Sequence, residues 1–103
     1  MRIRLSRLFS YKTENLLEYL EEKHSTKVKN QFLKKLYEKI ETLKTHPKAY
    51  PKSDKKRELR KLVISKQTTV LYKLTEDSVF IITLIDNRQN PNKIEEEIKK
   101  HFG

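Results

Sequence analysis

Hydrophobic and polar residues follow two different periods along this chain, and the change of period predicts the order of its elements. A loosely alternating stretch over residues 3–9 predicts a first strand, because successive strand side chains point to opposite faces. Apolar residues then recur every three or four positions, which predicts one helix over residues 13–23 and a second over residues 28–45. The dipeptide His46-Pro47 ends the second helix, since a residue before proline avoids helical geometry.

Three further apolar runs predict a meander of three strands. They follow the polar stretch PKAYPKSDKKRE, residues 47–58, whose two prolines and many charges predict a loop. The runs LRKLVIS, TTVLYKL and SVFIITLI are separated by short breaks, which favour antiparallel hairpins because parallel strands need a long crossover. Residues 92–102 then predict a terminal helix with Ile94, Ile98 and Phe102 on one face.

The resulting order is strand, helix, helix, three-stranded meander and terminal helix. This order predicts an α+β fold in which a helical hairpin packs on an antiparallel sheet. A chain of 103 residues is the size of one domain, so we expect residues 1–103 to form a single unit. Ser25 or Thr26 is expected to cap the second helix and Asn92 the terminal one, by accepting hydrogen bonds from free backbone N–H groups.

The last strand of the meander is apolar on both faces. Strict alternation places Val79, Ile81 and Ile85 on one face, and Phe80, Ile82 and Leu84 on the other. The helical hairpin can cover one of these faces. The other face needs a second cover, which is either the terminal helix or a partner chain.

The chain carries a large positive charge that is concentrated in one segment. Its formal net charge is +10, from 24 lysines and arginines against 14 acidic residues. Between Lys44 and Lys66 there are nine basic residues against only Asp54 and Glu58. Such a charge indicates a polyanionic or acidic partner, which is nucleic acid, an acidic protein or a membrane surface.

Several residue types and segments are missing from the sequence, and their absence excludes some kinds of site. It has no cysteine, which excludes disulfides, thiolate metal sites and cysteine nucleophiles. His24, His46 and His101 are far apart and match no ligand spacing, so we expect no metal and no cofactor. No apolar run approaches the roughly 20 residues of a membrane span, and the start lacks the apolar run of a signal peptide. We therefore expect a cytoplasmic protein without a membrane partner.

The basic loop and the start of the next strand supply the first candidate binding residues. These are Lys55, Lys56, Arg57, Arg60 and Lys61. One interpretation is an electrostatic platform for phosphates or for an acidic partner, because few acidic residues balance these charges. The other interpretation is a charge run that is simply solvated.

The stretch LIDNRQNP, residues 84–91, supplies a second group of candidates. Arg88 follows a rigid apolar strand, and its forked guanidinium can hold a phosphate or a carboxylate at two points. Asp86 is close enough to orient it, although a plain loop arginine bridged to Asp86 is the alternative. Tyr72 lies in the middle of another strand, where it serves either in the core or as an acid or stacking surface.

Four stretches occur in a characteristic order and spacing: ETLKTHPKAYP at the end of the second helix, ELRKLVI at the start of the meander, TVLYKL, and LIDNRQNP. Together they resemble the RelE/ParE family of bacterial toxins from type II toxin–antitoxin pairs. The resemblance spans nearly the whole chain. It implies a helical hairpin on a curved antiparallel sheet, which is also the fold that the hydrophobic pattern predicts.

The RelE-like branch of that family cleaves messenger RNA on the ribosome, and the chain matches it only in part. That branch usually has an arginine three positions before the residue matched by Tyr72, where this chain has Thr69. No tyrosine follows Arg88, and the only later histidine is His101. If the chain is a nuclease, the resemblance implies Arg60 and Arg88 as its catalytic residues.

The ParE-like branch, which poisons DNA gyrase, is the closer match. Its features are matched by Leu59-Arg60 at the entry to the meander, by Arg88 after the last strand and by residues 92–102 as a terminal helix. We therefore favour a ParE-like toxin, for which the resemblance implies DNA gyrase as a target. The alternatives are a ribosome-dependent mRNA endoribonuclease and a repurposed family member that only holds a partner or nucleic acid.

Both branches are neutralised by an antitoxin encoded beside them, whose often acidic segment wraps the toxin as a helix or as an added strand. The resemblance therefore implies a cognate antitoxin partner and a toxin–antitoxin hetero-oligomer, which suits the net charge of +10. The residues expected to bind the target or the antitoxin are the five basic residues named above together with Tyr72, Asp86 and Arg88.

Overall fold

The computed structural model describes residues 1–54 and 58–102 and has the predicted α+β architecture. In chain order the elements are β1 (Arg2–Leu5), α1 (Arg7–Lys23), α2 (Thr26–Glu41), a 3-10 turn (Thr42–Lys44), β2 (Lys52–Asp54), β3 (Leu59–Val63), β4 (Thr68–Leu74), β5 (Ser78–Asp86) and α3 (Pro91–Phe102). The predicted hairpin, meander and terminal helix are therefore confirmed.

The strands form one sheet in the order β1-β5-β4-β3-β2. The three sequential pairs β2–β3, β3–β4 and β4–β5 are antiparallel, as the short connections predict. β1 is parallel to β5, since the long chain between them supplies the crossover that a parallel pair needs. β1 pairs only with Ser78–Ile81, so within the described chain the second half of β5 has a strand neighbour on one side alone.

The first strand ends earlier, and the first helix begins earlier, than the pattern predicts. Ser6 caps α1: its Oγ accepts a hydrogen bond from the Phe9 N–H at 2.9 Å and donates one to the Ile82 carbonyl. The prediction of a strand over residues 3–9 is therefore wrong beyond Leu5. A short alternating stretch does not show where a serine ends a strand and starts a helix, because that serine suits both.

The second helix follows its prediction closely. Ser25 caps α2 by accepting a hydrogen bond from the Val28 N–H at 3.1 Å. The helix ends at Glu41 and continues as the 3-10 turn to Lys44, close to the predicted end. The stretch over residues 47–58, which predicts only a loop, also contains the short β2, which pairs with β3.

The sheet carries an apolar core on each of its faces. The hairpin of α1 and α2 covers one face, where the largest buried side chains include Tyr72, Phe9, Leu36, Leu43, Leu62 and Ile64. The other face buries Leu59, Leu71, Ile82 and Ile85 against Ile98 of α3. The terminal helix therefore provides the second cover that the apolar last strand requires.

A β-bulge in β5 changes the faces on which two residues lie. In the register of β4 and β5, Leu71 pairs with Thr83 and Tyr72 pairs with Ile81. Ile82 is therefore an extra residue, and beyond it the alternation is shifted by one position. Leu84 joins the core under the hairpin and Ile85 joins the core under α3. The predicted faces of Leu84 and Ile85 are wrong, because strict alternation makes no allowance for a bulge.

A short turn over residues 87–90 separates the terminal helix α3 from β5. Asn90 caps it, not Asn92 as predicted: the Asn90 side-chain oxygen accepts a hydrogen bond from the Asn92 N–H at 2.8 Å. Pro91 occupies the first helical position, which suits a residue without an N–H group. An ion pair of 2.7 Å between Lys12 and Glu97 joins α3 to α1.

Candidate functional site

The turn after β5 brings Arg88 and Asp86 into a two-point ion pair. The Arg88 Nε donates to Oδ1 of Asp86 at 3.1 Å and Nη2 donates to Oδ2 at 2.9 Å. The backbone N–H of Arg88 also donates to Oδ1, at 2.9 Å. The pair lies on the surface, with 71% of the Arg88 side chain and 46% of the Asp86 side chain exposed. Asp86 therefore directs a guanidinium that stays accessible to a partner.

This pairing changes the acidity of both groups. Hydrogen bonds from Arg88 hold the pKa of Asp86 below its ordinary value, and the same bonds raise the pKa of Arg88. Both groups are therefore charged at neutral pH. A guanidinium has five N–H donors, and Asp86 uses two of them. Among the described residues no other acceptor takes the remaining three, which can bind a second carboxylate or a phosphate.

Hydrogen bonds of Asn87 hold the same turn against the connection between β3 and β4 and the start of β4. Its side-chain oxygen accepts a hydrogen bond from the Thr69 hydroxyl at 2.6 Å. Its Nδ2 donates to the Lys66 carbonyl at 3.0 Å and its backbone N–H donates to the Gln67 carbonyl at 2.7 Å. Asn87 therefore fixes the backbone next to Arg88. The sequence pattern does not single it out, and its only signal is the concentration of amides in LIDNRQNP.

Arg60 and Tyr72 bind a different part of the chain, the loop that follows α2. The Arg60 Nη1 donates to the Tyr50 carbonyl at 2.7 Å and to the Lys48 carbonyl at 3.3 Å. The Tyr72 hydroxyl donates to the Pro47 carbonyl at 2.8 Å. Both side chains therefore hold the backbone of this loop in place.

Tyr72 is wholly enclosed in the core under the hairpin, with 0% of its surface exposed. Burial raises the pKa of Tyr72 to about 12, and the nearby charge of Arg60 opposes that rise only in part. The phenol is therefore protonated at neutral pH, with its proton donated to Pro47. A role of Tyr72 in binding stays a prediction, and it would act through the loop that Tyr72 holds.

The candidate residues thus form two groups at different ends of the sheet. Tyr72 lies opposite Arg60 in β3 and opposite Ile81 in β5, whereas Asp86 is the last residue of β5. The five steps along the strand from Ile81 to Asp86 correspond to at most about 16 Å at the rise of a strand. Arg60 is therefore engaged at one end of the sheet and Arg88 at the other.

The remaining basic candidates are less informative. Lys61 is exposed on β3, and its role in binding stays a prediction. Lys55, Lys56 and Arg57 lie outside the described residues.

A cleft of about 660 Å³ opens beside the Asp86–Arg88 pair. Leu16 and Leu20 of α1 form one wall, and Leu84 and Ile85 of β5 form another. Its polar lining includes both members of the ion pair together with Lys12, Tyr19, His24, Gln67, Gln89 and Glu97. The cleft therefore joins an apolar wall to an accessible arginine.

Residues 1–54 and 58–102 carry neither a cluster of metal ligands nor a membrane-spanning helix. This part of the chain contains no group of three or more His, Cys, Asp or Glu residues that could hold a metal ion. None of its helices is both long enough and apolar enough to cross a bilayer.

Comparison of the chain with known families gives a match. The family model described as the ParE toxin of the type II toxin-antitoxin system, parDE, matches residues 3–91. A search of curated proteins finds no match. The matched range covers β1 from Ile3 onward, the hairpin, strands β2 to β5 and the turn that carries Arg88. The chain therefore belongs to the ParE toxin family of type II toxin–antitoxin systems.

Proposed function

We propose that this chain inhibits growth by acting on DNA gyrase, with Arg88 as an anchor for the target, and that a cognate antitoxin neutralises it by covering the same end of the sheet. The family match over residues 3–91 is the observation that carries this proposal, because the ParE-like branch of the resemblance poisons gyrase. The accessible guanidinium of Arg88 is the group that best suits a target or a partner with carboxylates.

The environment of the buried candidates favours this function over RNA cleavage. A general acid or base must reach the proton that it transfers. The Tyr72 hydroxyl is buried and bound to Pro47, and the Thr69 hydroxyl is bound to Asn87. Arg60 is bound to loop carbonyls. These contacts support a toxin that works by binding rather than by a proton-transfer site on the sheet.

The charge of the chain supports an acidic partner. Its net charge of +10 would attract an acidic antitoxin segment and speed the encounter between them. We propose that the complex is a hetero-oligomer in which the antitoxin shields the Asp86–Arg88 pair from the target.

The test combines growth with two assays of purified protein. Induced expression should arrest growth, and co-expression of the small protein encoded beside this chain should relieve the arrest. The purified chain should inhibit DNA supercoiling by gyrase and should produce no new transcript ends in a translating-ribosome assay. Normal growth at high expression would overturn the toxin function. New transcript ends within codons would show that the target is messenger RNA and not gyrase.

Arg88→Ala is the matched variant for the proposed anchor. We expect it to weaken gyrase inhibition about tenfold or more, because charge-assisted hydrogen bonds contribute about 1.5 to 3 kcal/mol. Lys73→Ala is the control, since Lys73 is an exposed cation on β4 of the same sheet. Equal inhibition by both variants would show that Arg88 is no anchor.

A further inference from the structure

An aromatic pair joins β1 to α3 at the edge of the sheet. β1 is the outermost strand on its side, and its register with β5 places Arg4 opposite Phe80. The Arg4 Cζ lies 4.6 Å from the centroid of the Phe80 ring, which is the distance of a cation–π contact. Phe102, in the last turn of α3, meets the same ring in an edge-to-face arrangement with the centroids 6.0 Å apart. An arginine of β1 and the end of α3 therefore share one ring.

A cavity of about 400 Å³ lies beside this aromatic pair. Its lining includes Leu5 of β1, Arg7 at the start of α1, and His101 with Phe102 at the end of α3. Phe102 is 38% exposed, so part of its ring surface is accessible from solvent. Three elements therefore bring basic side chains and an accessible aromatic ring to one place.

The charge of this region is positive and largely uncompensated. The chain has no acidic residue before position 14, and the last turn of α3 is basic. Arg2 of β1 already pairs with Asp77, at 3.8 Å. Within residues 1–54 and 58–102, no carboxylate forms an ion pair with Arg4, Arg7 or Lys100. These three cations can therefore bind an anion from outside the chain.

The exposed side chains around the aromatic pair are named the edge patch, which consists of Arg4, Arg7, Lys100, His101 and Phe102. The edge patch is separate from the Asp86–Arg88 pair. Arg4 lies opposite Phe80, near the start of β5, whereas Asp86 is the last residue of that strand. The edge patch is therefore a second charged surface, and it contains none of the candidate residues that the sequence pattern singles out.

Cations that surround an accessible aromatic ring are typical of surfaces that bind single-stranded nucleic acid. Guanidinium and ammonium groups bind phosphate oxygens, and an aromatic ring stacks with a base that is not paired in a duplex. A membrane surface also attracts cations, but a helix that binds it needs an apolar face to insert. The apolar face of α3 is already used, since Ile98 is 3% exposed and packs on the sheet. The composition of the edge patch therefore favours nucleic acid.

We propose that the edge patch binds single-stranded nucleic acid, with phosphates on Arg4, Arg7 and Lys100 and an unpaired base stacked on Phe102. His101 adds a ring N–H donor beside the stacked base. Single-stranded DNA and RNA share this chemistry, so both are ligands of the proposed site. This inference does not rest on the proposed function, because neither gyrase nor the antitoxin takes part in it.

Fluorescence anisotropy with the purified full chain tests the stacked base. The probes are labelled oligo(dT) and oligo(U) of about 16 nucleotides, the upper site size of one single-strand-binding fold, and a DNA duplex of the same length. Phe102→Ala should weaken binding of the two single strands about fivefold or more, because stacking on an aromatic ring is lost. Its affinity for the duplex should stay within about twofold of that of the unchanged chain, since paired bases do not stack on the ring. Phe102→Tyr keeps an aromatic ring and should bind the single strands like the unchanged chain.

The salt dependence of binding tests the phosphate contacts. Arg4→Gln and Arg7→Gln should each reduce the slope of log K against log salt by about 0.7, the contribution of one phosphate contact on a single strand. Lys34→Gln is the matched control, because it removes one positive charge from the exposed outer face of the hairpin. Its slope should equal that of the unchanged chain. Thermal unfolding checks that all variants are folded.

Each outcome either supports or overturns the edge patch as a binding site. Loss of single-strand binding in Phe102→Ala that Phe102→Tyr restores would support it, and binding of only one of the two single strands would identify the ligand as DNA or as RNA. If Phe102→Ala weakens single-strand and duplex binding equally, or weakens neither, the stacked base is wrong. If Lys34→Gln lowers the salt slope as much as Arg4→Gln does, only the net charge attracts nucleic acid and no site exists. If neither oligonucleotide binds while vesicles of anionic lipid do, the edge patch binds a membrane surface and the inference is overturned.

Discussion

The two ends of the sheet use arginine in opposite ways. Arg60 donates to the carbonyls of Tyr50 and Lys48, which are neutral groups of its own loop. Arg88 binds the carboxylate of Asp86 and remains largely exposed. An arginine that binds backbone carbonyls holds the fold together, whereas an exposed arginine beside a carboxylate keeps donors for a partner. The comparison teaches that the partner of an arginine decides its use more than its place in a sequence motif does.

Replacing Arg60 should give the largest loss of stability. We expect Arg60→Ala to lower the free energy of unfolding by about 1 to 3 kcal/mol, since two carbonyls of the loop lose a charged donor. Arg88→Ala should leave it nearly unchanged, because exposed ion pairs contribute little. Urea unfolding of both variants measures the difference. Equal losses would remove the distinction between the two ends.

Asn87→Ala should show that the end of the sheet that carries Arg88 also contributes to the stability of the fold. The Thr69 hydroxyl, in a residue that is 1% exposed, would lose its described partner, and the Lys66 carbonyl would lose a donor. We expect a loss of about 1 to 2 kcal/mol in the free energy of unfolding, which is less than or close to that of Arg60→Ala. Asn87→Asp is the companion variant, because it keeps the acceptor for Thr69 and removes the donor to Lys66. A loss of stability as small as that of Arg88→Ala would contradict the inference that Asn87 holds this turn in place.

Tyr72→Phe sharpens the comparison at the Arg60 end. At neutral pH we expect it to cost about 0.5 to 1.5 kcal/mol, the net contribution of one hydrogen bond to Pro47. The folded pKa of Tyr72 is raised to about 12, so the folded chain keeps a proton that the unfolded chain loses near pH 10. The stability that Tyr72 adds is therefore complete below pH 10 and is lost as the pH rises towards 12.

Urea unfolding at pH 8, 10.5 and 11.5 measures this dependence. Every other titratable group is common to both chains, so the difference between the unchanged chain and Tyr72→Phe isolates the phenol. That difference should shrink as the pH rises. A constant difference would mean that the phenol is not desolvated as its burial indicates.

The sequence predicts the fold better than it predicts the site, for physical reasons that differ between residues. Helix α2 was predictable because its apolar spacing and Ser25 agree, and the order of the meander follows from its short breaks. The faces of Leu84 and Ile85 could not be predicted. In a strand that is apolar on both faces, the sequence does not show where a bulge shifts the alternation of side chains. The end of β1 at Ser6 was hidden for a different reason, because a serine suits both the end of a strand and the cap of a helix.

Site residues were predictable only where their partner is near in the sequence. Asp86 and Arg88 are two residues apart, so their contact could be expected. The contacts of Arg60 could not, because its partners are backbone carbonyls, which any residue provides. Asn87 reaches Thr69 across 18 positions of sequence, and only the register of β4 against β5 brings them together.

The smallest expected effect is the contribution of the Asp86–Arg88 pair itself. Arg88 lowers the pKa of Asp86, so the stability from this pair is present above the ordinary aspartate pKa of about 3.9 and is lost as the pH falls through the lower, folded value. Asp86→Asn should therefore differ from the unchanged chain by less than about 1 kcal/mol at pH 7, and the difference should vanish in strong acid and decrease in high salt. Binding should respond in the opposite direction, since Asp86→Asn frees the two guanidinium donors that Asp86 holds in the free chain. Isothermal titration with the antitoxin measures this response. Tighter binding by Asp86→Asn would show that Asp86 competes with the partner for Arg88. Weaker binding would show that Asp86 orients the guanidinium and that this orientation matters more than the number of free donors.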